Sequence, residues 1–241
     1  MKDIIFPKII FVVGGAGAGK STLSGEIKKV HSAYNIISDL QELRELLNSK
    51  QESIVQSGAI CLCPPHVLSL PLGGFDIVNP LVWDYVLDAT ARKIQSNSKY
   101  VFEFARGSDA RHLTTLGIRE EELYKHCFEI ILSALLGIST DDMLIIHVFS
   151  SFKSRLRRND RRRQKNNHFV ATKVMREVYL KDVFNFTPAS ESNRGYLECN
   201  NGRIMVFSID NSQELLSMEI KKEFGKKLQE AFEYHTVEKG K

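Results

Sequence analysis

Residues Gly14-Gly15-Ala16-Gly17-Ala18-Gly19-Lys20-Ser21 follow an apolar run at 9–13 and open an amphipathic stretch. They match G-x-x-x-x-G-K-[ST] in the context that pattern needs, a strand before it and a helix after it. Glycine lets the backbone curl so that successive N–H groups converge on phosphate oxygens. The helix N-terminus adds the positive end of its dipole. Lys20 supplies a point charge for the outer phosphates, Ser21 a hydroxyl for a divalent cation, and Thr22 a contact to the inner phosphate. A glycine-rich turn of purely structural origin has no reason to carry lysine and hydroxyl in register. The loop therefore places a strand and a helix side by side, with a phosphate site at the carboxyl edge of a sheet.

The rest of the chain alternates apolar runs with amphipathic stretches, the pattern of an α/β fold with a parallel sheet. Further strands are expected at 35–38, 100–104, 144–149 and 203–209, and helices at 20–31, 40–47, 119–136, 171–183 and 212–233. A strongly basic helix starts near Phe152, and the tail from residue 235 reads as polar and frayed. The segment 48–80 holds Pro64, Pro65, Pro71 and Pro80 together with Gly73-Gly74. It also carries Phe75, Ile77 and Val78, too apolar for a linker, and so reads as an irregular insertion. Asn79-Pro80 is a helix start, an N-cap followed by proline at the first helical position, for a helix running to about residue 94.

Composition narrows the class further. Over 241 residues, 43% are hydrophobic and 26% charged, which is ordinary for a globular chain long enough to bury a full core. The N-terminal apolar run lacks a cleavage region and is too short for a bilayer, so a cytoplasmic location with no membrane partner is expected. Net charge is +4 and the isoelectric point about 8.8, too mild to imply nucleic acid by itself. Cys61, Cys63, Cys127 and Cys199 are too sparse for a disulfide scaffold. Cys61 and Cys63 lie near His66, but the local sequence offers no fourth zinc ligand, and a proline-stiffened turn is the simpler reading.

Charge distribution points to more sites. Asp39 ends the second strand, where a helix N-cap and a ligand contact are both open. Glu103 sits inside the apolar strand 100–104, where a carboxylate is costly unless it meets a cation or donors. Lys20, Arg106 or a metal would supply that charge. From 153 to 165 the chain carries Lys153, Arg155, Arg157, Arg158, Arg161, Arg162, Arg163 and Lys165 against the single acid Asp160. At about 100° per residue, Arg155, Arg158 and Arg162 share one helical face. Like charges four apart repel, so this stretch is expected to meet something anionic, the alternative being a solvated charged face.

With these motifs the chain resembles the P-loop nucleoside and nucleotide kinases. The resemblance implies an α/β three-layer sandwich with a mostly parallel five-stranded sheet, its first strand central. It implies one domain over 1–241, with an acceptor-binding insertion at about 48–98 and an arginine-rich lid at about 152–170. ATP and Mg²⁺ are the implied cofactors. Residues 14–22 (Gly14, Gly15, Ala16, Gly17, Ala18, Gly19, Lys20, Ser21, Thr22) would hold the nucleotide. Ser21 and Glu103 would hold the metal, and Asp39 or Glu103 would act on the acceptor hydroxyl. Glu103 and Arg106 resemble the acidic and basic pair of deoxynucleoside kinases, although Phe104 and Ala105 separate them here. Arg158 and Arg162 stand for the lid arginines, which clamp phosphate in that family. Asn211 follows the last strand, where related kinases border the adenine, and would also serve as an N-cap.

The implied reaction is transfer of the γ-phosphate of ATP to a nucleoside or nucleotide. His66, Phe75, Trp83 and Tyr85 are candidates for the acceptor pocket, core packing being their commoner fate. Three alternatives stay open: a modified base or an end in DNA or RNA as acceptor, a non-nucleoside small molecule as acceptor, and a P-loop NTPase. The oligomeric state is left open, a dimer included.

Overall fold

In the computed structural model, residues 4–49, 53–55, 58–60, 67–69, 75–164, 170–189, 193–213 and 217–240 are described. In chain order the strands are β1 (Ile9–Val13), β2 (Tyr34–Ser38), β3 (Ser53–Val55), β4 (Gly58–Ile60), β5 (Val67–Ser69), β6 (Phe75–Ile77), β7 (Lys99–Phe104), β8 (Met143–Phe149), β9 (Thr187–Pro188), β10 (Arg194–Cys199) and β11 (Gly202–Asp210). The helices are α1 (Lys20–Val30), α2 (Asp39–Ser49), α3 (Leu81–Arg92), α4 (Ala110–Leu116), α5 (Leu123–Ala134), α6 (Phe152–Gln164), α7 (Thr172–Glu177) and α8 (Ser217–Lys239).

The main sheet runs β2-β7-β1-β8-β11-β10-β9. Its first five strands are parallel and β1 is central, as expected. It exceeds the expected five strands by two, because β10 and β9 extend the β11 edge in antiparallel pairing. β10 and β11 are joined by the two residues Asn200-Asn201, a hairpin that the mixed polarity of 194–199 hides.

Strands buried on both faces need apolar residues at every position, and β1 (IIFVV) supplies them. Phe11 and Val13 face a core shared with Phe102, Phe104, Phe128 and Ile131, under α3 and α5. Ile10 and Val12 face the opposite core, with Leu23, Ile27, Phe224 and Leu228 from α1 and α8. Helices on both faces complete the three layers. A third cluster joins Leu43, Leu46, Val67, Ile77, Val82 and Val86, and so docks α2, α3 and the hairpin strands β5 and β6 together. The described parts of the insertion therefore pair as two hairpins, β3-β4 and β5-β6.

Several boundaries differ from expectation. The helix expected at 119–136 starts as a 3-10 turn at Glu120–Glu122 and becomes α5 at Leu123. The helix expected at 171–183 ends at Glu177. The last helix starts at Ser217 and runs through the tail expected to fray. His235 is fully buried there, its ring nitrogens 3.0 Å from the Ile5 carbonyl oxygen and 3.1 Å from that of Asp141. Among the described residues no helix is long and apolar enough to cross a membrane.

Candidate active site

The carboxyl ends of β1, β2, β7 and β8 lie side by side, so the residues that follow them meet along one sheet edge. The loop after β1 needs its glycines. Gly14 has φ of 145°, and a Cβ there would sit 2.4 Å from the Val148 carbonyl oxygen. Gly17 has φ of 81°, and its Cβ would lie 2.8 Å from the Arg155 carbonyl oxygen. The loop is thus pressed against β8 and α6 at these two positions, with no space for a Cβ at either. Lys20 Nζ donates to the carbonyls of Gly14 (2.9 Å) and Gly15 (3.2 Å). Burial pulls its ammonium below the usual lysine range, the carboxylates of Asp39 and Glu103 oppose this, and Arg162 adds to the lowering.

Strand alternation turns Glu103 to the α1 face of the sheet, the face that Val101 shares with Leu23 and Ile27. There Glu103 Oε2 accepts a 2.9 Å hydrogen bond from Ser21 Oγ. Asp39 sits one strand away, 6% exposed. Its Oδ1 accepts from the Leu40 amide (2.6 Å) and its Oδ2 from the Ala105 amide (3.0 Å), which joins the ends of β2 and β7. Burial pushes the Asp39 carboxyl up to about 6, against the lowering effect of those two amides and Lys20.

These residues open onto one cavity of about 210 Å³. The loop contributes Ala16, Gly17, Lys20 and Ser21, and the strand ends contribute Ser38, Asp39, Glu103 and Ala105. The far wall is Asp76 and Ile77 of β6, Trp83 of α3 and His112 of α4. Asn159 and Arg162 of α6, with Val174, Val178 and Tyr179 in and after α7, close the top. A second cavity of about 510 Å³ lies on the other side of the loop, between the end of β11 (Asp210, Asn211) and Ile220 and Phe224 of α8.

Of the expected catalytic residues, Lys20, Asp39, Glu103 and Arg162 line one cavity. Two of the expected arginines lie elsewhere. Arg106 does not pair with Glu103. Its guanidinium is buried on the opposite face of the sheet behind Trp83, 5.3 Å from that ring and 3.6 Å from Asp84 Oδ1. Arg158 is not among the residues that line this cavity. It donates to the backbone carbonyls of Ala18 (3.2 Å), Asn211 (2.7 Å) and Gln213 (3.2 Å). Arg155, on the same face, is buried and donates to the carbonyls of Ser150, Tyr179 and Leu180. Part of the positive charge of α6 therefore meets carbonyl dipoles of the protein itself, which the charge count cannot reveal.

Asn211 does not cap α8, which starts at Ser217. Its Nδ2 donates to the Ala18 carbonyl at 2.7 Å and ties the end of β11 to the loop. Trp83 lines the cavity, and both it and Tyr85 pack against the cluster that includes Leu43 and Val86. Cys61, Cys63 and His66, and the side chain of Phe75, lie outside the described residues. Asp76, His112, Tyr179 and the valines of 174–178 are cavity residues that sequence reasoning missed. An acid between apolar residues at 75–77, straight after Gly73-Gly74, is the one local signal that could have found one of them.

No cluster of three or more His, Cys, Asp or Glu side chains able to hold a metal occurs among the described residues. Mg²⁺ is held by few protein oxygens, completed by water and phosphate. Ser21 Oγ and Glu103 Oε2, already within hydrogen-bond reach of each other beside the loop, are a hard oxygen pair of that kind.

Neither a comparison with protein-family profiles nor one with curated proteins gives a match. Solved structures do match across nearly the whole chain. A sugar kinase from Janibacter sp. HTCC2649 is similar at 10% identity and TM-score 0.52, covering 94% of this chain and 95% of that one. A gluconokinase from Sinorhizobium meliloti 1021 matches at 14% identity and TM-score 0.48, with 95% of each chain covered. A shikimate kinase from Acinetobacter baumannii, in complex with shikimate, matches at 9% identity and TM-score 0.45, covering 93% and 94%. The fold is that of the P-loop kinases.

Proposed function

We propose that this protein transfers the γ-phosphate of ATP to a hydroxyl of a small acceptor bound in the cavity between the loop and β6. One observation carries the reading: a single cavity joins Gly17, Lys20 and Ser21 to Asp39, a buried carboxylate with its pKa raised to about 6. Phosphoryl transfer needs positioning and charge neutralisation more than covalent help. Lys20 and the loop amides supply these on the donor side, with Arg162 above them. Mg²⁺, held through Ser21 and Glu103, would supply further neutralisation of the phosphates. Asp39, fixed by two amides, accepts the proton of the acceptor hydroxyl, and its pKa keeps it ionised at neutral pH. The base of ATP lies in the second cavity, beside Asn211 and Phe224. Helix α6 acts as the lid, and its closure over the phosphates suppresses hydrolysis.

A small acceptor fits better than a polymer. α6 and α7 line one side of the cavity, and Arg155 and Arg158 are spent on backbone carbonyls rather than presented to a nucleic acid. The likeness to a sugar kinase agrees with this at the level of fold. It moves the preferred acceptor away from the nucleotides implied by the sequence resemblance.

The test is transfer of labelled γ-phosphate from Mg-ATP to pools of sugars, polyols, hydroxy acids, nucleosides and nucleotides, with Lys20→Ala as control. Lys20-dependent label in one pool is the expected result. Lys20-dependent release of free phosphate with no labelled acceptor in any pool would instead mark an NTPase.

A further inference from the structure

Resting on that reading, we infer that the acceptor is an uncharged hydroxylated ring compound, held by the Asp76 carboxylate and the Trp83 ring, and that phosphorylated and carboxylated analogues are rejected. The argument is one of charge. Lys20 and Arg162, the cavity's cations among the described residues, both stand at its phosphate end. The acceptor end carries Asp39 and Asp76 instead.

Among the described residues two other arginines come near that end, and both are paired with carboxylates. Arg111 meets Asp76 only at 3.5 Å, while its Nε and Nη2 contact Asp109 at 3.1 and 2.6 Å. One guanidinium thus faces two carboxylates, which leaves the group negative. Arg106 is 4% exposed, lies behind Trp83 and pairs with Asp84. A carboxylate or phosphate on the acceptor would be desolvated against Asp39 and Asp76 with no free counter-charge among the described residues.

The same residues suit a neutral ring. A carboxylate accepts two hydrogen bonds side by side, the spacing that adjacent ring hydroxyls offer. Asp76 is 9% exposed and lines the cavity, and its one hydrogen-bond partner among the described residues, Arg111 Nη2, is distant at 3.5 Å, which leaves acceptor capacity for a ligand. Trp83 with Ile77, Val174 and Val178 forms an apolar wall for the ring's less polar face. His112 Nε2 lies 2.7 Å from the Ile77 carbonyl oxygen, which holds the imidazole and β6 together at this wall.

Trp83 is the one tryptophan in the chain, so intrinsic fluorescence reports on this wall directly. The full chain is titrated with matched pairs: a hexose against its uronic acid and its phosphate, a cyclitol against its phosphate, a nucleoside against its monophosphate. In at least one pair the neutral member should change the Trp83 signal saturably and bind at least about tenfold tighter than its charged partner. Asp76→Ala should weaken that binding about tenfold and narrow the gap between the pair, with affinity for a fluorescent ATP analogue unchanged. A charged member that binds tighter, an Asp76→Ala variant that binds the neutral ring as well as wild type does, or no response to any pair would each overturn the inference. Lys20-dependent transfer to anionic acceptors alone would overturn it and leave the kinase reading standing. Hydrolysis without transfer to any acceptor would overturn both.

Discussion

Ser21 Oγ donates to Glu103 Oε2 at 2.9 Å, a bond across 82 residues that joins the first turn of α1 to the end of β7. It explains how a carboxylate survives in an otherwise apolar strand: the pleat turns Glu103 toward a hydroxyl and Lys20 rather than into the phenylalanine core. Glu103→Gln preserves the side-chain shape but removes the charge. Activity should fall 10–100-fold and the Mg²⁺ concentration for half-maximal rate should rise, as for lost metal-supporting carboxylates. Melting temperature should hardly move. An unchanged Mg²⁺ dependence would assign Glu103 a purely structural bond.

Asp39 carries the pH dependence. Burial raises its pKa to about 6, so the base form is complete at neutral pH and is lost as pH falls through that value. The kcat/KM profile should drop about tenfold per pH unit below 6. Asp39→Asn should cost about 10²–10⁴-fold in kcat, and the residual activity should lose that acid limb. A variant that keeps the limb would place the titrating group elsewhere.

Arg155 and Arg162 lie two turns apart on α6 and should behave in opposite ways. Arg155 is buried with donations to three backbone carbonyls, so Arg155→Met leaves those acceptors unpaired. A loss of about 2–4 kcal/mol follows, a melting temperature lower by roughly 5–10 °C. Arg162 faces the cavity, and Arg162→Met should lower kcat by about 10²-fold with little change in melting temperature. Thermal denaturation and steady-state rates on the two variants separate the roles.

This contrast also shows where sequence reading succeeds and stops. The loop at 14–21, the central β1, Asp39 and Glu103 are legible because local patterns determine them: a glycine motif, an apolar run, a strand end, a charge inside a strand. Arg155, Arg158 and Arg162 share a helical face in sequence, yet only tertiary packing decides which meets carbonyls and which meets the cavity. Arg106 illustrates the same limit. Its closeness to Glu103 in sequence suggests a pair, but the chain leaves β7 between them, and the two side chains end on opposite faces of the sheet. The hairpin β9-β10 and helix α4 escape notice because edge strands and seven-residue helices carry too few periodic positions to stand out.

The C-terminal segment gives the most direct test of packing against local propensity. Its polar composition predicts fraying, and on that basis deletion of residues 234–241 would be harmless. The structure gives the opposite expectation. Thr236 Oγ1 accepts from the Ile5 amide at 2.9 Å, His235 is fully buried between the carbonyls of Ile5 and Asp141, and Tyr196 Oη donates to Glu238 at 2.7 Å. Removal of 234–241 strips the partners of the Ile5 amide and carbonyl and exposes the Ile10 face of the core where Tyr234 packs. The cost should be about 2–4 kcal/mol, with weaker amide-exchange protection in β1 and the N-terminal segment. Removal of 240–241 alone keeps all of these contacts and should leave both measurements at the wild-type value. Equal behaviour of the two truncations would show that the last turns of α8 do not hold the N-terminus in solution.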